Sequence, residues 1–68
     1  MTVKEKLSYF VEHGIAIKYI ADRMDVDAST LSKWLKGQKG ITHKNEDKLE
    51  STLKEIMHEL VSIIYEEW

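Results

Sequence analysis

Apolar residues recur at intervals of three and four along most of this chain, and no proline interrupts them. That spacing gathers them on one side of a 3.6-residue turn, whereas a half-buried strand needs alternation by two, of which there is no useful length. The chain is therefore expected to be all-α. Three glycines supply its punctuation: Gly14 closes a first segment, and Gly37 and Gly40 bracket a short loop. With 68 residues and no cysteine, the chain has no room for a second domain, no disulfide framework and no thiolate metal site. Residues 1–68 are expected to form one domain with a thin core, for which a second subunit is the natural additional source of stability.

Thr2 and Glu5 stand at capping-box spacing ahead of Leu7, Phe10 and Val11, which predicts a first helix ending at Gly14. A second helix, over about Ala16 to Met24, turns Ile17, Ile20, Ala21 and Met24 to one face. Asp27 is placed to cap a third, over about Ala28 to Lys36, its carboxylate accepting from the Ser29 or Thr30 amide. Thr42 opens a much longer helix, from about Lys44 to the end, with Glu46, Asp47 and Glu50 near the positive end of its dipole. Along it Leu49, Leu53, Ile56, Leu60 and Ile63 form one stripe, and Met57, Val61, Ile64 and Trp68 form a second. One stripe suffices to seal the helices before it. The other, with Tyr65, is expected to pair with a second copy, which makes residues 56–68 a dimerisation helix. The alternative is that the last turn folds back on the domain's own core.

The most informative stretch is Ile17 to Gly37, IKYIADRMDVDASTLSKWLKG. Two short helices that cross steeply need a small residue where their backbones approach, and Ala21 is placed for that. Four residues on, the turn needs left-handed backbone, which Asp25 tolerates better than most residues. Ile20, Met24, Val26, Leu31 and Trp34 then lock the crossing. This pattern resembles the helix-turn-helix of the phage repressor and Cro-type regulators, and the helices on either side also suit that layout. The resemblance implies a lambda-repressor-like domain of four to five helices that binds double-stranded DNA. The departure is Asp25, where the family usually carries glycine.

Within the third helix, Leu31, Trp34 and Leu35 share the core face, while Ser29, Ser32, Lys33 and Lys36 lie opposite. Hydroxyls serve several bases, and an ammonium favours guanine O6 and N7. The resemblance puts Asp27, Ala28 and Ser29, with Lys33 one turn later, where the family reads base edges. Ala28 lacks the amide that many relatives use on adenine and suits a thymine methyl. Asp27 serves better as a cap than beside phosphates. The resemblance also implies phosphate contacts at the start of the second helix, Ile17 and Lys18, and in the loop after the third, where Lys39, Gly40, Thr42, His43 and Lys44 follow Lys36.

A net charge of -2 is a poor footprint for DNA, but the average conceals a division. Residues 1–44 carry eight Lys/Arg and five Asp/Glu, and residues 45–68 carry two and seven. Lys33, Lys36, Lys39 and Lys44 fall in a stretch with no acid, and the acidic last helix is expected to face away from the duplex.

His13, His43 and His58 have no metal-ligand spacing, and no nucleophile turn, phosphate loop or carboxylate pair is present. Trp34 is expected in the core rather than stacked on a base. Neither an enzyme, nor a cofactor, metal or small-molecule ligand is expected. No signal peptide or membrane-spanning run is apparent, which suits a cytoplasmic protein. The expectation is a homodimeric regulator of transcription, a repressor occupying a pseudo-palindromic operator. The competing expectation is a protein-interaction module that docks another regulator or a host protein through its acidic last helix. An antitoxin-like or accessory DNA-binding protein would share the fold.

Overall fold

The computed structural model describes residues 1–66. Four helices follow one another: α1 (Val3–Glu12), α2 (Ile17–Met24), α3 (Ala28–Lys36) and α4 (His43–Glu66). The described residues contain no strand.

The helix starts follow the side chains that precede them. Thr2 and Glu5 form the reciprocal capping box on α1: the Glu5 amide donates to Thr2 Oγ1 (3.1 Å) and the Thr2 amide to Glu5 Oε1 (2.9 Å). These bonds favour the ionised carboxylate, so the Glu5 carboxyl is held below the ordinary glutamate range, chiefly by the Thr2 amide. The Asn45 amide donates to Thr42 Oγ1 at 3.3 Å, so Thr42 caps α4, which begins one residue before the expected Lys44.

The three short helices end alike. After α1, Gly14 (φ 98°) is followed by a bond from the Ile15 amide to the Phe10 carbonyl, 3.0 Å. After α2, Asp25 (φ 59°) precedes the Val26 amide bonded to the Ala21 carbonyl, 3.1 Å. After α3, Gly37 (φ 73°) precedes the Gln38 amide bonded to the Lys33 carbonyl, 2.9 Å. One left-handed residue thus satisfies terminal carbonyls each time and swings the next residue back across the helix end. Ile15 and Val26, the residues swung back, pack against the core.

That core draws on all four helices: Leu7; Ile20, Ala21 and Met24; Leu31 and Trp34; Leu49, Leu53 and Ile56. Burying a large aliphatic side chain contributes roughly 1.5–3 kcal/mol before the cost of ordering it. Trp34 is core as expected, and its Nε1–H is buried without a partner. Thr52 is also buried but satisfied, its hydroxyl donating to the Lys48 carbonyl at 2.8 Å.

Helices α1 and α2 each pack on both α3 and α4, so they stand between those two. Ion pairs fix α4 on both flanks. Lys6 of α1 meets Glu50 at 2.7 Å and holds that carboxyl below the ordinary range. Arg23 of α2 meets Glu55 at 3.6 Å and also binds Glu59, which raises the Arg23 pKa further. The first stripe of α4 seals the core only as far as Ile56. Leu60 and Ile63, expected to continue that seal, are exposed, because α1 and α2 are too short to cover them. The far half of α4 projects and gives the molecule its 43 Å long axis against 23 and 21 Å.

Candidate nucleic-acid interface

The corner between α2 and α3 is set by Asp25, whose φ of 59° and ψ of 43° are left-handed. Ala21, 1% exposed, lies in the core before this turn, and a larger side chain there would push α2 off its neighbours. Leu31 and Trp34 anchor α3 from below. Its outward line is then Ser29, Lys33 and Lys36, spaced four and three apart and all exposed. Lys36 and Gly37 end the helix, and Lys39, His43 and Lys44 continue the basic surface into the loop and the first turn of α4, all exposed.

The expected base-reading residues are not equally placed, and the expected side-chain cap at Asp27 is not formed. Asp27 occupies the N-cap position, but its carboxylate makes no capping bond; the Thr30 amide donates to the Asp27 main-chain carbonyl instead, 3.0 Å. Its side chain joins Asp22 and Asp25 around a shallow depression beside Val26, an acidic margin next to the basic line. Ala28 is half-buried and packs against the core, because it shares a helical face with Leu31 and Leu35. Ser32 is half-buried as well, at the edge of the same face. Asp27, Ser29 and Lys33 are the exposed residues of the expected set.

Among the expected phosphate contacts, Ile17 packs its side chain against the core, which leaves its amide in the first turn of α2. That helix start has no side-chain cap and no acid, so its amides and dipole favour an anion. Lys18 is exposed and pairs loosely with Asp22, 3.4 Å. Such an exposed i,i+4 pair is worth only about 0.3–0.5 kcal/mol and yields readily to a phosphate. Imidazole Nδ1 of His43 lies 3.4 Å from Glu46 and pairs with it when protonated. Among the described residues, Lys33, Lys36, Lys39 and Lys44 form no ion pair.

No protein family, curated protein or solved structure matches this chain.

Lys4 is a basic residue that sequence reasoning left out of the surface. Its ammonium lies 3.7 Å from where a Cβ on Gly37 would be, over the negative end of α3. Its position depends on how α1 packs on α3, and local sequence carries no sign of that. The expected pairing residues of α4 stand in solvent: Met57 is 49%, Val61 42%, Ile64 56% and Tyr65 74% exposed. Trp68, assigned to the same stripe, lies outside the described residues. Within those residues no His, Cys, Asp and Glu cluster is arranged to hold a metal, and no helix is long and apolar enough to cross a membrane.

Proposed function

We propose that this protein is a sequence-specific double-stranded DNA-binding regulator of transcription, of the phage repressor and Cro type, acting as a homodimer on a pseudo-palindromic operator. The observation that carries the reading is the exposed line Ser29–Lys33–Lys36, held outward on α3 by a buried Leu31–Trp34 anchor and a left-handed corner at Asp25. Lys33, one turn into α3, reads a base edge, and Ser29 adds a hydroxyl that serves more than one base. Lys36, Lys39, His43 and Lys44, with Lys18 and the first amides of α2, fix position on the phosphates. Regulation is steric: an occupied operator excludes polymerase or a rival regulator, and protein concentration sets occupancy.

Selection of bound sequences from a random duplex pool at fixed salt tests this, with an inverted repeat as the expected product. Lys33→Ala should then relax base preference, while Lys39→Ala should weaken binding to all sequences alike and flatten its salt dependence. Equal losses on selected and random DNA for both variants refute that division of labour. Failure to bind any duplex at low ionic strength refutes the proposal itself.

The second reading, an interaction module that docks another protein through α4, is favoured by the exposed apolar residues of that helix and the acidic balance of residues 45–68. Removing roughly the last ten residues separates the two. A dimeric regulator becomes monomeric and loses operator affinity, whereas a docking module loses only its protein partner.

A further inference from the structure

Around α4 two directions are occupied for different reasons. Leu49, Thr52, Leu53 and Ile56 point into the core, and Met57, Val61 and Ile64 form an exposed seam. At 3.6 residues per turn these directions differ by about a quarter turn. Glu50 lies on the same line as the seam but is taken by Lys6 of α1. The seam is therefore open only from Met57 onward. Glu55, Glu59 and Glu66 fall on the opposite side of the helix, the first two held by Arg23. No acid interrupts the seam between Met57 and Ile64, and Leu60 and Tyr65 flank it.

Charge favours one occupant. A basic partner would find nothing on the seam to pair with, whereas a second copy brings an equally uncharged line and keeps its own acids on the far side. Geometry then chooses the direction. A parallel pair has its two-fold axis along α4, and half a turn about that axis sends the partner's α3 to the opposite side of the dimer. It would also lay the two α1 helices side by side where each closes the seam. An antiparallel pair has its axis along the core direction, perpendicular to α4, and keeps both α3 helices on one side.

We propose that the Val61–Ile64 end of the seam pairs with the same residues of a second copy running antiparallel, with the two-fold axis between Val61 and Ile64, so that Val61 of each copy packs on Ile64 of the other and Met57 lies at the edge of the contact. The proposal deepens the dimeric DNA-binding reading and rests on it. At 1.5 Å rise per residue, the two cores, centred near Leu53, come to lie about 30 Å apart along α4, close to the roughly 34 Å between successive major grooves on one face of DNA.

The test uses the absence of native cysteine. Lys48→Cys places one nitroxide on the exposed surface of α4 in the full chain, and the distance between labels is measured by pulsed electron resonance without DNA. Antiparallel pairing predicts a separation of about 44 Å along the helix, while a parallel pair with axes about 10 Å apart gives less than about 30 Å. The long distance, together with a dimer in sedimentation, is the expected result. The short distance overturns the proposal, and so does a monomer at about 100 µM, a hundredfold above a micromolar Kd. Titrating the same labelled protein with the random duplex pool keeps the two readings apart. A long distance without DNA binding sinks the regulator and leaves the seam, and DNA binding with a short distance does the reverse.

Discussion

Replacing Asp25 by glycine separates what the corner needs from what the aspartate adds. Its backbone is left-handed at φ 59°, ψ 43°, a conformation that costs an L-residue about 1–2 kcal/mol, with Asp near the lower end. Glycine removes that cost but adds freedom to the unfolded chain worth roughly 0.4–1 kcal/mol. The carboxylate also stands at the negative end of α2, beside Asp22 and Asp27, so removing it contributes a few tenths of a kcal/mol more. The net expectation for Asp25→Gly is a gain of about 0.2–1 kcal/mol, or a few degrees in Tm for a domain of this size. Gly14 and Gly37, in the same role after α1 and α3, provide the precedent within the molecule.

Urea unfolding at one fixed protein concentration, followed by circular dichroism, is the appropriate assay, because pairing makes stability concentration-dependent. Asp25→Asn keeps the tolerance for left-handed backbone and removes only the charge, so it should fall between wild type and Asp25→Gly. Asp25→Val puts a β-branched residue at positive φ and should lose at least about 1–2 kcal/mol. A valine variant as stable as wild type would mean that the corner is not left-handed in solution and does not hold α3 as described. Under the proposed function, Asp25→Gly also tightens binding to random duplex by clearing one charge from the acidic margin.

Three further expectations use other parts of the molecule. Val61→Glu puts a charge on the seam; sedimentation should show a monomer with unchanged helix content, and a variant that stays dimeric refutes the seam. Thr42→Ala removes a capping bond and should cost about 1 kcal/mol in urea unfolding, whereas Asp27→Ala, with no such bond to lose, should cost less than about 0.5 kcal/mol. The Glu5 and Glu50 carboxyls are both held below the ordinary value of about 4.3, so their contribution is fully present above that pH and is lost as pH falls from there through their lower folded-state values. Lys6→Gln should flatten part of that acid-side loss in a series of urea midpoints, and an unchanged slope would show that the Lys6–Glu50 pair does not persist in solution.

Local rules made most of the fold readable. Thr2 with Glu5, Gly14, Gly37 and Thr42 act through hydrogen bonds only a few residues long, so the sequence alone places both ends of α1 and α3 and the start of α4 to within about one or two residues. Asp25 was readable for the same reason, since few non-glycine residues accept that backbone. At the candidate interface two roles compete for one position. Ala28, expected to read a base edge, also shares the Leu31–Leu35 face and packs half-buried against the core. Asp27 can cap with its carboxylate or leave the work to its own carbonyl, and the carbonyl took it. Lys4 over Gly37 and the grip of Arg23 on Glu55 and Glu59 depend on which helices meet, a tertiary fact with no local sign.

The two stripes of α4 show why periodicity alone could not assign them. They have the same spacing and are offset by one residue, as at Ile56 and Met57 or Leu60 and Val61, so either could serve as the core face. Length decides between them. Helices α1 and α2, of 10 and 8 residues, span about 15 and 12 Å, while α4, of 24, spans about 36 Å. Three short helices cannot cover the whole of the long one, and burial stops at Ile56. Beyond that point a merely solvated extension would distribute charge around its circumference, because charge there costs nothing and keeps the surface soluble. Here Glu55, Glu59 and Glu66 keep to one side, and Met57, Val61 and Ile64 keep to another. That segregation is the pattern the proposed pairing requires: the domain's own core along the first half of α4 and an uncharged seam left open along the next.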